Sequence, residues 1–449
     1  MQIRKLAAHA IAAMTALAWL AAGGRAQQSP PAEAPVTLEA LERMAMRNNP
    51  TLAQADAAIR AAEGRRKQAG LWPNPTVGYT GEGLAFNSLV YPFRNEHYVF
   101  VEQTFITAGK LGKSRQIAAE EKNQAQAIAE AQRLRVLNSV RMLYFEALGA
   151  QQLVELRKQL AGLTREAVAI SDDLYNVGQA DRPDVLASEV ESQRAEIDLL
   201  RAENDLARIW GVLAAVVNDP QLRPARLAGM LETEAPKLDR DELLAMLLRE
   251  SPEMKAAMAG VDRARAIIRR EKAEPKPDLF VRGSVGYSRD WAEFFGGRVG
   301  WDSRFEAGVR LPIFNRNQGN VAAAQAGLLN AEKEMLRVEL TLRARLADSY
   351  TRYLNSLGIA SRYSRDILPK AQRSYDMYLA KFRQMAAAYP QVLISQRTLF
   401  HARTEYVGTL VELWQNITQL RGLLLTSGLA APGAIPSVEL GGHMPQPQQ

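Results

Sequence analysis

Four histidines, thirteen methionines and no cysteine are what this 449-residue chain offers to metal or nucleophilic chemistry. His9 lies in an apolar leader and His443 in a Pro/Gln-rich tail, while His97 and His401 stand singly in an alternating and a helical stretch. No pair takes a zinc-ligand spacing, and without a thiol there is no cysteine nucleophile, no disulfide and no acylated lipoprotein anchor. Met44 and Met46 offer soft sulfur, but Met44 recurs as Met246 in a second copy of the same pattern, and methionine at helical spacing reads as core. Gly109 and Gly112 are not followed by the Lys-Ser/Thr pair that a phosphate loop requires. No catalytic, cofactor-binding or metal site is expected, and the chain does not read as an enzyme.

Charge excludes a second class. The formal net charge is +7, and three of the positive charges, Arg4, Lys5 and Arg25, belong to the leader. The remaining excess is scattered, with "RRKQ" (65–68) and "RARAIIRREK" (263–272) reading as solvated helix faces, so no nucleic-acid partner is expected. Residues 1–26 have a basic start, an apolar run and small residues at the end, the pattern of a secretory signal peptide cleaved after Ala26.

The elements that remain are organised as two copies of one unit. "LERMAMRNNP" (41–50) and "LLAMLLRESP" (243–252) place Leu, Met, Arg and Pro identically, and the proline pairs Pro73/Pro75 and Pro275/Pro277 follow at the same offset. Such self-similarity over a long period is the signature of a duplicated supersecondary unit. After each proline pair the apolar period becomes two: Val77 and Tyr79, then Val99, Val101 and Phe105; in the second copy Leu279, Val281 and Val285, then Phe305, Ala307, Val309 and Leu311. These are expected strands, with Arg282, Ser284, Arg304, Glu306 and Arg310 on the face opposite the apolar one. One face suits lipid and the other water.

Each strand pair is followed by a long expected helix, running from about Lys110 and from about Gly319 to a turn. Roughly 65 helical residues make a rod near 100 Å long. Leu153, Leu156, Leu160, Leu163, Ala167, Ile170, Leu174 and Val177 form a three-four seam approaching the first turn. Beyond it Leu186, Val190, Ile197 and Leu200 form one line and Val185, Leu199, Leu206 and Leu213 another, and a helix with two seams has neighbours on both sides. The turns are "YNVGQADRPDV" (175–185) and "FRQMAAAYPQV" (382–392). Gly178 permits a left-handed cap, and Pro183 or Pro390 starts the return helix, so both hairpins point away from the strands.

These residues resemble the TolC-like outer-membrane efflux proteins. "VGQADRPDV" (177–185) is similar to the family's tip pattern and "LPIFNRNQGNVAAAQA" (311–326) to its strand-to-helix passage; "EQTFITAGKLGKSR" (102–115) is similar to the branch serving heavy-metal resistance-nodulation-division pumps. The resemblance implies a mainly α fold with a small β part. Long antiparallel coiled-coil helices would form an α-helical barrel, and four strands would contribute to a transmembrane β-barrel shared within a homotrimer. It implies an outer-membrane channel reaching into the periplasm, in contact with outer-membrane lipid. Its partners would be a periplasmic adaptor and an inner-membrane pump, and its substrate heavy-metal cations, with drug efflux, type I secretion or a barrel-less periplasmic scaffold as alternatives.

Adaptor docking is expected at the tips, through Val177, Gly178, Gln179, Asp181 and Asp184 of the first hairpin and Met385, Ala387, Tyr389 and Gln391 of the second. Family members often carry acidic residues at the second tip; here Gln391 and Ile394 stand there, which leaves Asp184 of the first tip. The expected organisation is a leader (1–26), a linker (27–36), a first repeat (37–218), an inter-repeat equatorial segment (219–238), a second repeat (239–428) and a disordered tail (429–449).

Overall fold

The computed structural model describes residues 35–82, 96–288, 300–384 and 389–433. The expected leader and most of the expected tail lie outside these residues, as do Met385 and Ala387 of the second tip.

Each repeat opens with two short helices broken at a proline. In the first, α1 (Leu38–Asn48) is capped by Thr37, whose hydroxyl accepts from the Ala40 amide, and α2 (Pro50–Gln68) by Asn49, whose carbonyl oxygen accepts from Thr51. A proline at the first helical position has no amide to leave unsatisfied, so one helix ends and the next begins there. Strands β1 (Thr76–Glu82) and β2 (Glu96–Phe105) follow, then α3 (Lys110–Asn176), a single helix of 67 residues, the first turn, and α4 (Arg182–Val217). The second repeat repeats this plan. Asp239 caps α5 (Arg240–Glu250), and Pro252 starts α6 (Pro252–Glu271). Strands β3 (Leu279–Ser288) and β4 (Gly300–Val309), helix α7 (Gln318–Arg362), α8 (Leu368–Arg383) and α9 (Tyr389–Arg421) complete it.

The strands form one antiparallel sheet in the order β1-β2-β3-β4. All four therefore meet the helices at one end: β1 and β3 begin there, and β2 and β4 end there. The main core lies midway along the helices, where Leu41, Val140, Trp210, Leu213, Leu231, Leu247, Leu342 and Tyr353 are buried together. Segments outside the repeats' long helices are pinned to it by polar side chains. Asn138 donates to the carbonyls of Gly422 and Leu425 at 2.8 and 2.6 Å, Tyr353 to that of Pro236 at 2.8 Å, and Trp414 to that of Leu231 at 2.9 Å. Each bond satisfies a backbone carbonyl that no regular element would serve.

Two details of the rods depart from the expected pattern. The second rod is helical throughout Gln318–Arg383 but not regular: a π-helical turn, Tyr363–Ile367, lies between α7 and α8. Pro369 follows it, and a proline inside a helix supplies no amide to the carbonyl four residues back, here Arg365; a wider turn absorbs the mismatch. The seam of the first hairpin is also built from smaller residues than the leucine line implied. Ala161, Thr164, Ala167 and Ser171 of α3 are buried with Ser188, Ser192 and Ala195 of α4, while Ile170 and Val177 are exposed. The hydroxyls of Ser171 and Ser188 share a hydrogen bond at 2.8 Å. Small residues let the two helices approach closely; of the expected line, Leu156 and Ala167 are buried.

Candidate conduit: the inner wall of the strands and the helical tips

Register determines which side chains share a face of the sheet. On one face the row Tyr79–Val99–Val285–Ser303 and the row His97–Tyr287–Trp301 are paired across strands, with Val77, Val101, Phe305 and Val309 beside them, and most of these side chains are exposed in the single chain. On the other face Thr76–Glu102–Arg282–Glu306 form one row and Thr80–Tyr98–Gly286–Asp302 another. The apolar face matches lipid and the polar face a water-filled interior.

The inner wall has a layered construction. Tyr98 is paired with Gly286, Phe100 with Gly78 and Phe280 with Gly308, and a Cβ on any of these glycines would lie 2.3–2.5 Å from the ring opposite. The rings therefore lie flat over the neighbouring backbone. A guanidinium covers two of them: Arg282 is 3.8 Å from the centre of the Phe100 ring and Arg304 is 3.9 Å from that of Tyr98. Arg282 also donates to the Thr80 hydroxyl at 3.1 Å and Arg304 to Glu96 at 2.6 Å. Cation–π contact and ion pairing hold the long arginine side chains against the wall.

Of the residues expected on this face, Arg282, Ser284, Arg304 and Glu306 share it by register, while Arg310 lies just past the end of β4. Glu82, Glu96, Glu102 and Asp302 belong to the same face and were not singled out from the sequence, although the period-two pattern through Val99 and Val101 carries the signal. Among the described strand residues, five carboxylates thus stand against two guanidinium groups on this face. The histidines are less isolated than their spacing implied: His97 bonds the Tyr79 hydroxyl on the outer face, and His401 lies 3.3 Å from Glu405 on α9.

At the opposite end, the first turn closes α3 with Gly178 at φ +73°, and the Gln179 amide reaches back to the Leu174 carbonyl at 2.8 Å. This is a Schellman-type stop. Asp181 precedes α4, and the Asp184 carboxylate accepts from the Asp181 amide at 3.4 Å. Val177, Gly178, Gln179, Asp181 and Asp184 are all exposed there. On the second hairpin Gln391 is exposed, whereas Tyr389 is half-buried against Phe382, with ring centres 4.9 Å apart. Burial, with Tyr375 and Glu166 adding to it, pushes the Tyr389 hydroxyl up to about 12, so it stays neutral in any physiological state.

The two return helices enclose a groove of about 550 Å³ next to the tips, lined by Pro183, Leu186, Val190, Pro390, Leu393 and Ile394. Arg397 of α9 crosses it to Glu191 of α4 at 2.7 Å. Among the described residues no group of three or more His, Asp or Glu is arranged to hold a metal ion, and no helix is long and apolar enough to cross a membrane.

Comparison with known proteins agrees with this geometry. The family model described as outer membrane efflux protein matches residues 41–219 and 243–424. The cobalt-zinc-cadmium resistance protein CzcC of Cupriavidus metallidurans is 28% identical over 396 residues, covering 88% of this chain and 91% of that protein. Among solved structures, the outer membrane protein VceC of Vibrio cholerae superposes with a TM-score of 0.70 at 17% identity, over 87% of this chain and 96% of that one. CusC, whose structures concern folding and transmembrane channel formation, gives 0.69 at 16% identity over 87% and 92%.

Proposed function

Since the chain belongs to the outer membrane efflux protein family, whose place is the outer membrane and the adjoining periplasm, we propose that it is the outer-membrane duct of a tripartite efflux system. It would conduct heavy-metal cations passively outward from an inner-membrane pump and a periplasmic adaptor. The observation that carries the reading is the sheet itself: its outer face is apolar and exposed, its inner face is polar, and β1 and β4 are its two edge strands. In lipid each unpaired backbone group costs several kcal/mol, so the edges must be closed. Four strands are too few to do so alone; three copies supply twelve.

The helices support the same assembly. Leu186, Val190, Ile197 and Leu200 are exposed on the side of α4 away from α3, and Leu329, Leu336, Leu340 and Leu354 are exposed on the side of α7 away from its buried line. Neighbouring copies would cover these second seams. Adaptor docking is assigned to Val177, Gly178, Gln179, Asp181 and Asp184 and to the second turn around Met385, Ala387, Tyr389 and Gln391, with the groove between α4 and α9 beside them. The cation reading draws on the similarity to CzcC and on the excess of carboxylates along the inner wall.

Deleting the gene should sensitise cells to cobalt, zinc or cadmium, and the intact chain should restore growth. Sensitisation to detergents and antibiotics alone would refute the metal cargo. Replacing Met385 and Tyr389 together by aspartate should abolish export and adaptor cross-linking while the heat-resistant oligomer persists; full export by that variant would remove the second tip from the docking surface.

A further inference from the structure

Where the helices give way to the strands, the chain exposes apolar side chains that the helical packing leaves uncovered. Leu71 and Trp72 lie between α2 and β1, Phe105 ends β2, and Leu311, Ile313 and Phe314 follow β4. Phe314 is 92% exposed. The Trp72 ring meets the Phe105 ring edge-on at 6.2 Å between centres, which places Trp72 beneath the lipid-facing side of β2. Because β1 begins and β4 ends at the same level, closing the sheet between copies sets Leu311–Phe314 of one copy beside Leu71–Trp72 of the next. The patches then join into a collar just below the barrel.

The charges of this level are unevenly satisfied. The carboxylates of the segment between α6 and β3 are held within the chain: Glu271 accepts from Asn317 at 2.6 Å, Glu274 pairs with Arg270, and Asp278 pairs with Lys110 at 2.9 Å. Four cations are not. Lys67 at the end of α2, and Lys272 and Lys276 between α6 and β3, are exposed and form no ion pair with a described residue. The Arg316 side chain is exposed and donates to the Ile313 carbonyl at 3.1 Å, with no ion pair to a described residue. These four side chains, none ion-paired with a described residue, therefore add positive charge beside the apolar collar.

Amphipathic aromatic rings settle at the membrane interface, and lysine or arginine beside them attracts anionic headgroups. We infer that this collar binds anionic phospholipid of the inner leaflet of the outer membrane. Trp72, Leu311, Ile313 and Phe314 would pack on acyl chains, while Lys67, Lys272, Lys276 and Arg316 would hold the phosphate. The surface is continuous with the lipid-facing side of the strands, and its charge is opposite to that of such a headgroup.

The test uses the full chain purified as its native oligomer, exchanged into detergent with equal amounts of phosphatidylglycerol and phosphatidylethanolamine, and read by counting the lipids retained. The wild type should prefer phosphatidylglycerol by at least about tenfold, because several cations near the surface act on one anionic headgroup. Combining Lys67→Gln, Lys272→Gln, Lys276→Gln and Arg316→Gln should erase that preference, whereas Lys67→Arg, Lys272→Arg and Lys276→Arg together should keep it. Equal retention of the two lipids by the wild type would overturn the proposal, as would an undiminished preference in the glutamine variant. Competition by excess glycerol phosphate would also overturn it, because a soluble anion would then be the ligand.

Discussion

Tyr98 lies across Gly286, its partner in the β2–β3 register, so closely that a Cβ on the glycine would stand 2.3 Å from the ring and 2.2 Å from the His97 carbonyl oxygen. The ring can yield; the backbone oxygen cannot without a shift of the strand. Gly283, three residues earlier on the same strand, points to the other face and meets nothing within 4 Å. Gly286→Ala should therefore reduce the heat-resistant oligomer in outer membranes severalfold, while Gly283→Ala should match the wild type. Semi-native gels of membrane fractions separate the two, and equal oligomer from both variants would show that the flat ring is dispensable.

The second apolar line of α4 gives a different prediction, about assembly between copies. Val185 and Leu213 are buried against the chain's own helices, whereas Ile197 and Leu200 are about half-exposed on the opposite side. Fully burying such a side chain is worth roughly 1.5–3 kcal/mol, and a charge there forfeits it. Combining Ile197→Asp with Leu200→Asp should leave the helical circular dichroism of the solubilised chain intact but shift it from oligomer to monomer in light scattering. An unchanged oligomer would mean that this side faces water.

Much of the architecture is written in periods that survive without any tertiary information. The proline pairs, the recurrence of Met44 as Met246 and the switch from helical to alternating spacing mark the repeats, the strands and the tips. The rest depends on contacts. Alternation with Val99 and Val101 already puts Glu96, Tyr98 and Glu102 on one face, but their place beside Arg282 and Gly286 comes only from the register of β2 with β3. The π-turn at Tyr363–Ile367 follows from how one helix accommodates Pro369, which a period of three and four does not record. Likewise the Ala/Ser contact between α3 and α4 was masked by a leucine line of greater hydrophobicity beside it, because close approach favours small side chains over apolar ones.

Between the repeats, the pair of Arg263 on α6 and Glu121 on α3 is the ion pair to test for stability. Both guanidinium contacts fall on one carboxylate oxygen, at 3.1 and 2.8 Å, and the side chains are only 8% and 14% exposed. Arg65, 3.7 Å from the other oxygen, gives partial relief. Removing one partner of a buried pair typically costs 3–5 kcal/mol, because the other charge is left desolvated, whereas removing both costs far less. Arg263→Met should accordingly lower the thermal midpoint of the purified oligomer by several degrees, and adding Glu121→Leu should recover most of that loss. Additive losses in the double variant would contradict coupling between them.

Tyr389 supplies the last prediction, through its ionisation. Packed on Phe382, its hydroxyl is pushed from 10.0 to about 12, by burial first and then by Tyr375 and Glu166. Below pH 10 the phenol is neutral whether the tip is folded or not, so the contact contributes fully. Between pH 10 and about 12 the unfolded tip loses its proton more readily than the folded one, and the stability of the second hairpin falls with each increment of pH. Above that range the loss is complete. Tyr389→Phe keeps the ring and removes the titration, so its thermal midpoint should stay flatter than that of the wild type from pH 10 to 12, with the two curves coinciding at pH 8. The difference in absorbance near 295 nm between the two proteins should titrate close to pH 12. A transition near pH 10 would mean that Tyr389 swings out into solvent, and that the second tip presents its ring to a partner directly.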